Sequence, residues 1–139
     1  MTKIAPPTAI TSQVLFLYYE DMEQITRFYG EIMGFKLVED QGWAKIFRVT
    51  DGAFIGAVDG SRGHHPVRTE NSVAVALAVS DVQAWHRHLV AHNVTIKTEP
   101  KFHEEIQVEG FFAKDPGGYT IEIQRFAKPE LADIFHELG

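Results

Sequence analysis

Few residues in this chain have chemical capacity, and most of those stand alone. Glu122 lies inside a strand-like run, Tyr119 to Phe126. Glutamate is rarely buried unless paired, so one in such a strand is a candidate acid, base or cation anchor. The chain has 7 histidines. His88 and His92 have ligand spacing on a helix, yet no carboxylate-histidine motif surrounds them, and a solvated helix face accounts for both. His64 and His65 occupy a Gly/Pro linker, and His103-Glu104-Glu105 sits in the longest polar loop. There is no Gly-x-Ser-x-Gly elbow and no glycine-rich phosphate loop. With no cysteine, thiolate chemistry and disulfides are excluded.

The elements that must carry these residues fit one domain's worth of chain. At 139 residues there is enough sequence for a real core. The formal net charge of -6 argues against nucleic acid as a partner, because such proteins carry basic patches. No apolar stretch approaches a bilayer span, and the first residues lack the apolar segment of a signal peptide, so a cytoplasmic protein is expected.

Val14 to Tyr19 is apolar at every position, which suits a strand covered on both faces. Asp21 is a good N-cap, with Gln24 completing a capping-box-like pattern. Met22, Ile25, Phe28, Tyr29, Ile32 and Met33 then recur at helical spacing, and Gly34 is placed to stop the helix. Strands are expected at 35–38, 44–49 and 54–58. After a linker at about 60–70 the pattern restarts. Val73 to Val79 is a strand, and Ser80 or Asp81 caps a helix carrying Val82, Trp85, Leu89 and Val90. Asn93 ends that helix; strands follow at 94–97, 107–114 and 119–126, with 99–106 a polar loop. Leu131, Ile134, Phe135 and Leu138 have helical spacing, which predicts a terminal helix over about 128–138 that covers apolar surface.

The chain therefore states one pattern twice. Asp21 and Asp81 stand 60 residues apart, Gly34 and Asn93 59, and Gly52 and Gly118 66. The fold class is α+β: two tandem βαβββ modules, at about 12–59 and 71–126. Neither can bury a sheet face alone, so they are expected to pair.

In this order and spacing, the first strand into Asp21, Phe28-Tyr29, Met33-Gly34-Phe35, the second strand into Asp81, and Asp115-Pro-Gly-Gly-Tyr-Thr-Ile-Glu122 carry a resemblance. The chain resembles the vicinal oxygen chelate superfamily, which includes glyoxalase I, extradiol dioxygenases, fosfomycin-resistance enzymes and bleomycin-resistance proteins. The resemblance implies paired modules whose curved mixed sheets form a ligand cavity, usually in a homodimer. It also implies, in metal-dependent members, a divalent ion held from four strand positions. Counted onto this sequence, those positions read Val14, Gly56, Ala74 and Glu122. Only one can bind a metal, and a lone carboxylate does not hold a catalytic divalent ion. No metal and no other cofactor is expected.

With those positions facing inward, period-two alternation brings Phe16, Tyr18, Phe54, Val58, Thr120 and Gln124 to the same side, with Ala74, Ala76 and Ala78 leaving room. Trp43, Lys45 and Phe47 are expected to join them, because Ala44 and Ile46 suit the helix side better. The expected ligand site is then Phe16, Tyr18, Trp43, Lys45, Phe47, Phe54, Thr120 and Gln124 around Glu122, with Lys45 a candidate to neutralise the carboxylate. Aromatic walls with one polar cluster describe a small-molecule pocket; aromatics that merely fill core are the alternative. The reading is a metal-independent binder of an aromatic or cationic small molecule, of the bleomycin-resistance type. Two alternatives stand beside it: a glyoxalase-like isomerase or lyase with Glu122 as catalytic general base, and a non-catalytic protein-association domain.

Overall fold

The helix after the first strand of each module begins where an aspartate can take a free amide. In the computed structural model, which describes residues 4–136, the Asp21 carboxylate accepts from the Gln24 N–H at 3.0 Å and the Asp81 carboxylate from the Ala84 N–H at 2.9 Å. Of the two candidates for the second cap, Asp81 holds the position. Gly34 (φ 76°) and Asn93 (φ 60°) follow the two helices in left-handed backbone, the conformation that stops a helix.

The chain forms two compact units, 1–67 and 68–139. In the first, β1 (Gln13–Tyr19) leads to α1 (Met22–Arg27), which continues as a π-helical turn (Phe28–Ile32). There the Met33 N–H reaches back to the Phe28 carbonyl at 2.8 Å, a wider loop than the regular spacing read from the sequence. Then come β2 (Lys36–Asp40), β3 (Ala44–Thr50) and β4 (Ala53–Asp59). The sheet runs β1-β4-β3-β2, with β1 parallel to β4 and the other pairs antiparallel. Its helix-covered face buries Leu17, Tyr19, Phe47, Ile55 and Ala57 against Ile25, Phe28 and Tyr29. Tyr19 and Tyr29 share a hydroxyl hydrogen bond at 3.3 Å within that core.

The second unit repeats the plan. β5 (Ala74–Ala78) leads to α2 (Val82–Ala91), then β6 (Thr95–Ile96), β7 (Lys101–His103), β8 (Val108–Lys114) and β9 (Thr120–Phe126). The order is β5-β9-β8-β6, with β7 also on the outer edge of β8. The stretch 99–106, expected as a polar loop, thus contains a strand. β6 and β7 are the halves of one edge strand, broken by a bulge around Thr98 and Pro100. The Thr98 hydroxyl takes the Phe112 N–H at 2.8 Å where the ladder lapses. Val75, Ile121, Ile123, Phe111 and Ala113 are buried on the α2 face, with Val82 and Leu89.

Asp115 is the one buried charged residue among those described, and its burial is structural. Its carboxylate accepts from the Gly117 and Tyr119 amides at 3.0 and 2.9 Å, closing the Asp-Pro-Gly-Gly-Tyr turn that returns β8 to β9. Gly118 (φ 91°) supplies the left-handed residue this turn needs.

The terminal helix α3 spans Pro129–Phe135, shorter than expected; Leu138 lies outside the described residues. It buries none of its side chains: Phe135 stacks on Phe126 at 4.5 Å between centroids, while Ile134 stays exposed.

Candidate functional site

The face of each sheet away from its helix carries the residues of interest. In the first unit, β1 pairs with β4 so that Val14 stands beside Phe54, Phe16 beside Gly56 and Tyr18 beside Val58. Directly paired residues project to the same side. Phe16 and Gly56 are steric complements. The Phe16 ring lies where a Gly56 side chain would project, so a Cβ there would collide with ring carbons. Tyr18 closes one end of the row, edge-on to His65 at 5.3 Å between centroids. The His64-His65 linker is thus drawn back onto this face.

One expected strand facing is overturned. In the β3–β4 pairing, Ile46 stands beside Gly56 and Arg48 beside Phe54, whereas Phe47 stands beside Ile55 and Lys45 beside Ala57. Ala44, Ile46 and Arg48 therefore share the face of Phe16 and Phe54. Phe47 is fully buried on the helix side, 6.0 Å from the Tyr29 ring. Lys45 follows the same alternation and turns its Nζ to Asp40 Oδ2 at 2.8 Å. That contact is the main reason the Asp40 carboxyl lies below the usual range. Trp43, whose carbonyl accepts from the Asp59 N–H, continues the Lys45–Phe47 side of the strand. The cause is packing: the volume beneath Tyr29 and beside Gly30 takes the largest apolar side chain of β3, and that choice sets the parity of the whole strand.

Arg48, which the sequence reading missed, is a cation on this face, with Lys36 paired beside it on β2. Its guanidinium lies 4.9 Å over the Phe54 ring. Its ion-pair partner, the exposed Asp51, is 3.9 Å away. The signal was present in sequence: once Phe47 is assigned to the core, Arg48 must face the other way.

In the second unit, Ala74, Ala76 and Ala78 stand beside Thr120, Glu122 and Gln124. Phe112 pairs with Glu122 from the other side and adds an aromatic that the sequence reading did not include. Thr120, Glu122 and Gln124 are half-buried and share this face. Burial raises the Glu122 pKa, with the charge of His103 acting in the opposite direction. His103 comes from β7, the strand hidden in the expected loop.

These registers make the modules equivalent pair for pair. Phe16/Gly56 in the first corresponds to Ala76/Glu122 in the second, so large and small side chains exchange strands. The residues do not fit a divalent ion. Val14, Gly56, Ala74 and Glu122 offer one donor, and an aromatic ring fills the place above Gly56. Among the described residues, no three His, Cys, Asp or Glu side chains are grouped to hold a metal.

A family model described as "Glyoxalase/Bleomycin resistance protein/Dioxygenase superfamily" matches residues 11–123. Among curated proteins none matches the sequence. Solved structures do match. A glyoxalase-related enzyme from Fulvimarina pelagi is 22% identical, with a TM-score of 0.70 over 81% of this chain and 85% of that one. A glyoxalase/bleomycin resistance protein/dioxygenase from Nocardioides is 18% identical, with a TM-score of 0.71 over 91% and 87%. The fosfomycin resistance protein FosX from Listeria monocytogenes is 15% identical, with a TM-score of 0.70 over 85% and 94%. At these identities the likeness is one of fold.

Proposed function

Because the chain belongs to the Glyoxalase/Bleomycin resistance protein/Dioxygenase superfamily, we propose that it is a metal-independent small-molecule-binding protein of that superfamily. On the first unit the proposed ligand contacts are Phe16, Tyr18 and Phe54; on the second they are Glu122, Thr120 and Gln124. Lys45 and Phe47 are left out, and Trp43 with them, because β3 turns the other way. The observation that carries this reading is the Phe16/Gly56 pair. A ring stands where a metal-dependent relative would need a donor, which suits stacking on a ligand and not coordination of an ion.

The ligand class follows from the carboxylate. A cationic aromatic molecule would gain contact with the rings, about 0.5–2 kcal/mol for a good cation–π contact. On the second unit, a cation would gain a charge-assisted bond to Glu122 of roughly 1.5–3 kcal/mol. Glu122→Gln is expected to weaken a cationic aromatic found by thermal-shift screening about tenfold, since 1.4 kcal/mol is a factor of ten. A neutral analogue should barely change. Calorimetric titration decides it, and equal affinity of wild type and variant for the cation would remove the carboxylate as anchor.

A second reading has its own support. A glutamate with a raised pKa beside a histidine can act as general base in a glyoxalase-like isomerase or lyase step. Turnover of a carbonyl substrate that vanishes in Glu122→Gln would favour it over sequestration.

The proposed setting is a cytoplasmic homodimer without nucleic-acid or membrane partners. Among the described residues no helix is long and apolar enough to cross a membrane. Light scattering giving a monomer mass at micromolar concentration would contradict the dimer.

A further inference from the structure

We infer that Arg48 is a carboxylate-binding residue and that the ligand taken by the aromatic face of the first sheet bears an acid group; this rests on the proposed ligand site and adds the anion it selects. Three observations converge. The β3–β4 register puts Arg48 beside Phe54, on the side shared with Val14 and Phe16. The guanidinium lies over the Phe54 ring at 4.9 Å, which restrains it without consuming its N–H donors. Its ion-pair partner is Asp51, at 3.9 Å beyond hydrogen-bond length and fully exposed.

An arginine held in this way is suited to an oxyanion. The guanidinium carries five donors in a rigid planar fork that matches a carboxylate in two parallel bonds. Stacking on a ring limits the freedom lost when those bonds form. Lysine would substitute only in part, because a point charge offers no fork. Arg48 lies amid Val14, Phe16, Ile46 and Phe54, and Lys36, its direct partner on β2, adds a second positive charge to the same face of a chain of formal net charge -6. The complementary ligand places an aromatic or apolar body over Phe16 and Phe54 and its carboxylate in the plane of Arg48.

The test titrates the protein with 2-naphthoate and with 2-naphthamide, its uncharged counterpart, by ligand-observed NMR and calorimetry. Wild type is expected to bind naphthoate at least about tenfold more tightly than the amide. Arg48→Met should bring the two to near equality by weakening the acid alone, and Arg48→Lys should recover only part of the preference. Circular dichroism confirms that the variants fold; should either not, the acid-to-amide ratio of the wild type still decides. Equal affinity of the wild type for acid and amide overturns the inference while leaving an aromatic ligand site in place. Binding of neither probe overturns the inference, and the cationic-ligand reading is then decided by the Glu122→Gln titration alone. Unchanged acid preference in Arg48→Met shows that another group reads the carboxylate, which also overturns it.

Discussion

The ring of Phe16 occupies the space that any side chain at Gly56 would need. The two residues are directly paired on neighbouring parallel strands, and each defines what the other can be. In the second module the matched pair is Ala76 and Glu122, with the bulk on the opposite strand.

Gly56→Ala should therefore destabilise the protein by about 1–3 kcal/mol, the usual penalty for forcing extra volume into a packed site. Phe16→Ala should relieve that penalty, so that the double variant is more stable than the sum of the single changes predicts. Urea unfolding of the four proteins measures the coupling. A Gly56→Ala protein as stable as wild type would show that the ring swings away freely.

Purified protein should retain far less than one divalent metal per chain after dialysis. Elemental analysis checks this. About one zinc, nickel, manganese or iron per chain would mean that donors outside Val14, Gly56, Ala74 and Glu122 assemble a site.

Glu122 makes stability depend on pH in a stated direction. Its pKa is raised on folding, chiefly by burial, so the folded chain holds this proton to higher pH than the unfolded chain does. The stability it contributes is intact below the ordinary glutamate range and falls as pH rises through the folded pKa. Glu122→Gln should thus gain on wild type as pH rises above the ordinary glutamate range, about pH 4. Urea midpoints across that rise measure the gap, and a gap that is constant or narrows with rising pH would contradict the assignment.

Asp21→Ala and Asp81→Ala should each cost about 1 kcal/mol, the ordinary value of a side-chain N-cap. The asparagine variants should retain most of it. Thermal unfolding of the four variants tests this, and alanine variants that melt with wild type would show that packing of Ile25 and Leu89 alone holds the helices.

The fold was largely legible because its punctuation is local. Asp21, Asp81, Gly34 and Asn93 act within one helical turn of where they stand, and the duplicated spacing exposes the two modules. The α+β class with two mixed sheets followed from that repeat. The facing of Phe16, Tyr18 and Phe54 followed from the strand positions that the family resemblance supplied, because Val14 to Tyr19 is apolar throughout and shows no alternation of its own. Strand parity failed at Ala44–Thr50, where two small or aliphatic residues and two large ones compete for the core; the decision rests with Tyr29 and Gly30, distant in sequence. Arg48 was lost with that parity. Lys101-Phe102-His103 read as loop because a three-residue edge strand has too few alternations to register. The π-helical turn at Phe28–Ile32 had no readable signal, since its apolar residues satisfy the regular period equally well.

The break between Ile96 and Lys101 has a consequence for behaviour in a crowded solution. A sheet edge with a long, even row of free amides invites another strand to dock and keep growing. Here the outer row of the second sheet is split into short pieces around Pro100, which has no amide to offer. The outer strand of the first sheet is likewise offset between Leu37 and Glu39, with Lys36, Glu39 and Asp40 along it. Both modules thus interrupt the edge farthest from their first strand. Aggregation by edge-to-edge templating is discouraged twice over.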